Sequence, residues 1–179
     1  FLTSDKLQDI FESSLEVYTL KSSRFFQTGG GGISMWHHDE KNSGYYSSCL
    51  IILIYLSDVL SLKDGPFQYI KGTHKISYEM SDKDFWADNI NKKFSQNIVN
   101  CFGKSGTIII ANSKTIHRAL PHKGNNYRTS LFSQISKLEE TTYREKILVN
   151  PAFLEDKILQ SERLKKFLGF GMNNSNHIF

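Results

Sequence analysis

Residues 50–56 are the most apolar run in the chain, and they do not alternate with polar residues. The run is far too short for a membrane helix, which takes roughly 20 residues. It reads instead as the heart of a strand over residues 47–56, covered on both faces. A strand with no polar face needs partners on each side, so it cannot belong to an exposed one-sided sheet. Further strand-sized segments occur at 24–28, 33–39, 67–71, 107–111, 115–120 and 127–135. The glycines from Gly29 to Gly32 and the turn signal Asp64-Gly65-Pro66 punctuate them. Many short strands in the middle of a chain favour an antiparallel sandwich or barrel over an alternating βαβ arrangement.

Helical patterns flank and interrupt these strands. Residues 4–20 read as an amphipathic helix, with Ser4 as N-cap and Leu7, Ile10, Phe11 and Leu15 on one face. Ser81 followed by Asp84 is a capping-box signature, and Phe85, Trp86, Ile90 and Phe94 come after it at helical spacing. A helical insertion is therefore expected over about 75–100. Asn150-Pro151 opens a C-terminal helix over about 151–168, which buries Leu154, Ile158, Leu164, Phe167 and Leu168 and stops near Gly169 or Gly171. The fold class expected is mainly β with flanking helices.

The 179 residues suffice for a single domain over 1–179, with its core at about 24–136. The chain starts at Phe1, so part of an N-terminal region is expected to be missing. Lys and Arg number 22 against 18 Asp and Glu, a formal charge of +4, without a basic run or a basic-aromatic stripe. No nucleic-acid partner is expected, and no membrane. Cys49 and Cys101 have no metal-type spacing, so free thiols in a cytoplasmic setting are expected.

The chemistry starts at Trp36-His37-His38-Asp39. In a strand, His37 and Asp39 share a face while His38 points away. An imidazole and a carboxylate are two-thirds of the facial triad that suits iron(II). The third ligand could come from His74, His117, His122 or His177. His117 stands out because the stretch from Ile116 to Ser130 reads as strand, Gly/Asn-rich turn and strand. A hairpin turning near His122 and Lys123 would set His117 roughly opposite Arg128, with cross-strand neighbours about 5–8 Å apart. An arginine there suits the far end of a metal-bound dicarboxylate, because its planar fork matches a carboxylate. Ser130 shares a strand face with Arg128 and can add a hydrogen bond. Gln27, just before the glycines, is a candidate to line the pocket. Trp36 is expected in the core, His74 to stabilise its turn, and His122 to lie in the hairpin turn.

The order of these motifs resembles the phytanoyl-CoA dioxygenase family of 2-oxoglutarate oxygenases. The resemblance rests on Trp36 to Asp39, Tyr55-Leu56-Ser57-Asp58, Gly65-Pro66-Phe67 and Gly72-Thr73-His74-Lys75. It continues through Ser105-Gly106-Thr107, His117 and Arg128, and covers about residues 24–136. It implies a double-stranded β-helix, the cupin-like jelly roll. It also implies iron(II) held by His37, Asp39 and His117, with 2-oxoglutarate anchored by Arg128 and O2 as the oxidant. Hydroxylation of a small-molecule substrate, with release of succinate and carbon dioxide, would result. Asp39 favours hydroxylation over halogenation, since related halogenases carry Gly or Ala there. Two features depart from the family. Ala119 stands where members often carry Ser or Thr, and the chain is shorter than most. A catalytically silent jelly-roll binding module and a cupin-type metalloenzyme that does not use 2-oxoglutarate are the competing readings. The substrate and the oligomeric state are not legible.

Overall fold

The computed structural model describes residues 1–30, 35–39, 49–75, 88–137 and 156–169. The chain divides into two compact units. One comprises Phe1–Ser23, Tyr45–Leu50 and Ser133–Phe179, and the other Arg24–Gly44 and Ile51–Phe132. No helix among the described residues is long and apolar enough to cross a membrane.

The first unit is organised by aromatic packing. Helix α1 (Asp5–Leu15) buries Leu7, Phe11 and Leu15, which recur on one face. Ser4 occupies the N-cap in extended conformation, but its carbonyl rather than its hydroxyl closes the first turn, accepting from the amides of Leu7 and Gln8. The helix stops at Leu15, short of the expected residue 20, because Glu16 takes a positive φ of 62° and turns the chain. The strand formers Tyr18 and Thr19 come next, and strand β1 (Tyr18–Thr28) begins six residues earlier than expected. Phe11 meets Tyr18 edge-on at 5.7 Å and stacks on Phe167 at 5.9 Å. The Tyr18 hydroxyl donates to the Gln8 side chain at 2.8 Å and accepts from Arg163 Nε at 3.0 Å.

Phe167 lies on the C-terminal helical segment, which is two helices rather than one. The break falls at Ser161, whose hydroxyl accepts from the Leu164 amide and so restarts the helix. Asp156–Gln160 precedes it and Glu162–Leu168 succeeds it, ending at Gly169 with φ 84°. Asn150, Pro151 and Leu154 lie outside the described residues, as do Ser81, Asp84, Phe85 and Trp86.

Seven strands occur among the described residues, in two sheets. Strands β1, β2 (Cys49–Tyr55), β5 (Ile108–Asn112) and β7 (Arg128–Lys137) lie in the order β1-β7-β2-β5. Ser22 hydrogen-bonds Gln134 and Ser23 hydrogen-bonds Ser133, so β1 and β7 run antiparallel. The other sheet has the order β4-β3-β6, from Ile98–Cys101, Phe67–Ile70 and His117–Ala119. Both of its pairings are antiparallel; Gln68 faces Asn100 on one side and Arg118 on the other. Ile51 to Tyr55 of β2 are all buried, as the lack of alternation implies.

Among the described residues of the second unit, two apolar clusters form around the strands. Trp36, Ile70, Ile90 and Ile116 pack together, with Phe94 and Ile98 against them. Trp36 is fully buried, its indole N–H donating to Asn91 Oδ1 at 3.1 Å, so it is a core residue. Ile90 and Phe94 come from helix α2 (Asp88–Phe94), whose apolar face thus packs onto the sheet residues. The helical insertion ends earlier than expected, since Ile98–Cys101 is strand β4. Leu53, Tyr55, Val59 and Phe67 form the second cluster. Burying each such side chain contributes about 1.5–3 kcal/mol. The Tyr55 hydroxyl donates to the Cys101 carbonyl and accepts from the Phe67 amide, each at 2.9 Å, which ties β2 to β3 and β4. Burial pushes this phenol up to about 12, so it stays neutral and keeps both bonds.

Candidate metal centre

His37 and His117 are brought together by their backbones. The His37 amide donates to the His117 carbonyl at 3.0 Å and the reverse bond measures 2.8 Å. This isolated antiparallel bridge is the only pairing of residues 35–39 among the described residues, so the strand expected at 33–39 is not formed there; Ile33 and Ser34 lie outside the described residues. Asp39 is fixed separately, its amide donating to the Ser113 carbonyl at 3.1 Å. The shared strand face foreseen for His37 and Asp39 is thus replaced by two separate anchors with the same outcome.

Each imidazole is oriented through its inner nitrogen. His37 Nδ1 bonds the Met35 carbonyl and His117 Nδ1 the Thr115 carbonyl, both at 2.8 Å. A carbonyl only accepts, so Nδ1 carries a proton, and in the neutral imidazole Nε2 is then the nitrogen that presents a lone pair. Both Nε2 atoms lie near Asp39: His37 Nε2 is 3.6 Å and His117 Nε2 3.7 Å from its Oδ1. Donors each roughly 2.1 Å from one ion can be at most about 4.2 Å apart, so either pair can share a cation. The ligand atoms of all three residues lie within 4.8 Å of one another, so the two imidazoles must close by roughly half an ångström to hold the same ion.

The His117 ring stacks on Phe67 at 5.3 Å and is buried. Burial is the main reason its pKa falls to about 4; His37 adds to the fall and Asp39 opposes it. At neutral pH His117 is therefore the neutral imidazole that a metal requires. His37 and Asp39 are only half-buried, which leaves one side of the triad open. Two imidazoles and one carboxylate with an open side fit iron(II) of the facial-triad type.

Arg128 reaches its place by a route other than the expected hairpin. β6 and β7 lie in different sheets, so His117 and Arg128 are not cross-strand neighbours. The chain after β6 is held elsewhere. The Leu120 amide donates to the Pro66 carbonyl at 3.0 Å, and His122 makes a parallel bridge with Gly30. His122 is accordingly buried in that bridge rather than placed in a hairpin turn. Arg128 is itself buried; its Nη1 donates to the carbonyls of Gly65 and Leu120, and its Nη2 to Thr28 Oγ1 at 3.3 Å. Among the described residues no carboxylate pairs with it. Burial lowers its pKa, with the neighbouring Tyr55 opposing.

Gly65 makes this cradle possible. Its φ is 68°, and a Cβ there would stand 2.6 Å from the Leu120 carbonyl oxygen and 3.1 Å from Arg128 Nη1. Ser130 is buried and shares the strand face of Arg128. Gln27 is exposed and alternates with Thr28 along β1, so Thr28, not Gln27, faces the guanidinium. His74 is exposed, and its neighbour Thr73 holds the turn: its hydroxyl donates to the Ile70 carbonyl at 2.8 Å and accepts from the Ile116 amide at 2.9 Å. His177 lies outside the described residues.

Residues 2–130 match the family model of phytanoyl-CoA dioxygenase. The chain belongs to the phytanoyl-CoA dioxygenase family. Solved structures of similar fold agree with that membership. HygX from Streptomyces hygroscopicus, with nickel, 2-oxoglutarate and hygromycin B bound, is 15% identical with a TM-score of 0.63, and the match covers 82% of this chain and 66% of HygX. HygX with iron bound is also 15% identical, with a TM-score of 0.63, covering 82% of this chain and 68% of that one. AviO1 from Streptomyces viridochromogenes is 14% identical with a TM-score of 0.57, covering 79% of this chain and 62% of AviO1. This phytanoyl-CoA dioxygenase family chain thus spans about two thirds of the length of its structural relatives. No curated protein matches its sequence.

Thr28, Gly65 and Thr73 were not singled out for the site by pattern. Thr28 and Thr73 carry no chemistry that spacing alone would flag. Gly65 was visible as a turn glycine but not as the residue that admits Arg128.

Proposed function

We propose that this chain is an iron(II)- and 2-oxoglutarate-dependent dioxygenase that hydroxylates a small molecule. The convergence of His37, Asp39 and His117 on one open-sided position carries the reading. Bound there, iron(II) would couple the oxidation of 2-oxoglutarate by O2, giving succinate and carbon dioxide, to oxidation of the substrate. The protein's own part is to hold three ligands, keep His117 neutral and orient the cosubstrate.

Arg128 supports the cosubstrate assignment. Among the described residues Arg128 has no carboxylate partner, which is costly for a buried guanidinium, and a dicarboxylate ligand would complete it. We assign Arg128 and Ser130 to the far carboxylate; Gln27, exposed on the other strand face, is left out of that set. The 2-oxoglutarate and hygromycin B held by HygX support a small-molecule substrate here. The family membership supports arranging the two sheets as a jelly roll, in one oxygenase domain spanning 1–179. A cytoplasmic setting with Cys49 and Cys101 as thiols belongs to the same reading.

Titration of the protein with iron(II) and then 2-oxoglutarate without oxygen, and then succinate measurement on admitting oxygen, tests this reading. Binding of both, with succinate formed afterwards, supports it. Metal binding without 2-oxoglutarate binding would favour a metalloenzyme of another kind, and binding of neither a silent module.

A further inference from the structure

Ala119 leaves no hydroxyl two residues after His117. β3 pairs Phe67 with Ala119 and Tyr69 with His117, so Ala119 lies on the His117 face with only a methyl to offer. On another strand, Thr28 Oγ1 accepts from Arg128 Nη2 at 3.3 Å. Accepting that bond uses a lone pair and leaves the hydroxyl hydrogen free to donate. No acceptor for that hydrogen occurs among the described residues. A carboxylate lying against Arg128 would supply one. Phe26, which shares the Thr28 strand face, packs edge-on against Phe132 at 6.1 Å, and Phe132 shares the face of Arg128 and Ser130. Two contacts therefore set the same phase of β1 against β7, which turns the Thr28 side chain toward Arg128.

Resting on the 2-oxoglutarate reading above, we propose that Thr28 is a cosubstrate-binding residue. Its hydroxyl donates to the carboxylate held by Arg128 and replaces the contact that Ala119 cannot make. The role is one of binding and orientation, with no bond made or broken at Thr28.

The test uses the full chain with manganese(II) in place of iron, and 2-oxoglutarate binding measured by calorimetry. Thr28→Val removes the hydroxyl at nearly constant shape, while Thr28→Ser keeps it. Thr28→Val is expected to weaken 2-oxoglutarate about tenfold, as for one hydrogen bond to a charged group, with manganese affinity unchanged. Thr28→Ser should bind like wild type, and adding Ala119→Ser to Thr28→Val should recover part of the loss. If Thr28→Val fails to fold, Thr28→Ala carries the same comparison. Wild-type affinity in Thr28→Val would overturn the proposal while leaving the cosubstrate reading intact. Equal losses in Thr28→Val and Thr28→Ser would also overturn it. If wild type itself binds no 2-oxoglutarate, the cosubstrate reading falls and this proposal with it.

Discussion

Around the triad, orientation is local. The inner nitrogens of His37 and His117 are each tied to a carbonyl two residues back in the chain. Around Arg128 it is mostly long-range: Gly65 and Thr28 lie 63 and 100 residues away, and Leu120 alone of the three is near, at 8. The ligand rings are thus aimed by their own short segments, whereas the guanidinium is aimed by the assembled fold. The two sites also differ in how they fail. The triad is built of side chains, and its failure modes are chemical. The arginine cradle is built of backbone carbonyls, one positive-φ glycine and the Thr28 hydroxyl, so it can fail sterically as well as chemically.

Single removal of the triad breaks the comparison most sharply. His37→Ala, Asp39→Ala or His117→Ala should abolish turnover and weaken metal binding by more than about a hundredfold, beyond the loss typical of outer-shell changes. His38→Ala, which removes none of the three converging groups, should leave metal binding close to wild type. Metal titration measures both, and a strong loss in His38→Ala alone would reassign the ligand.

Arg128→Ala should weaken 2-oxoglutarate by about one to two decades, the value of a charge-assisted hydrogen bond, while metal affinity holds. Parallel loss of both ligands would mean that the two ends of the site are not independent.

Gly65→Ala probes the same end through the backbone. The left-handed conformation and the close approach to Leu120 O together should cost about 1–3 kcal/mol in denaturant unfolding. Its 2-oxoglutarate affinity should fall more than its metal affinity, because the added methyl meets Nη1 of Arg128 and no ligand of the triad.

The smallest effect concerns Cys101, paired with Phe67 across β4 and β3. Burial raises its thiol from 9.0 to about 11, so its thiolate at neutral pH is about a hundredfold scarcer than that of a free thiol. Alkylation of the native protein should be slow in that proportion and should quicken as pH rises toward 11. Fast labelling at neutral pH would show that this sheet opens readily.

Legibility in the sequence divides along the same line. The triad could be picked out because its chemistry needs particular side chains, and His37, Asp39 and His117 are such groups. The buried strand at β2 was visible because apolar residues without alternation have few other uses. The route to Arg128 was not visible. Adjacency in sequence suggests a hairpin between β6 and β7, yet β6 pairs with β3 and β7 with β1 and β2. Nothing in the 117–130 stretch announces that Leu120 binds Pro66 instead of folding back. The start of β1 was hidden by helical spacing that runs past Leu15, although Val17, Tyr18 and Thr19 are poor helix formers. The split of the last helix at Ser161 is marked by neither Pro nor Gly, the usual signals of a helix end, so nothing in the local sequence announces it.

The bridge between His37 and His117 has a consequence for the free energy of the fold. Three backbone hydrogen bonds, from the amides of His37, His117 and Asp39, join this short segment to the region that carries the distal ligand. A cation held by all three side chains would act as a cross-link between parts of the chain far apart in sequence, closing a long loop. Occupancy would then stabilise the native state by about 2.7 kcal/mol at a hundredfold excess over the dissociation constant. Amide exchange at His37 and Asp39 should slow by a matching factor when metal is added. Those two protons would register the metal without any turnover being measured.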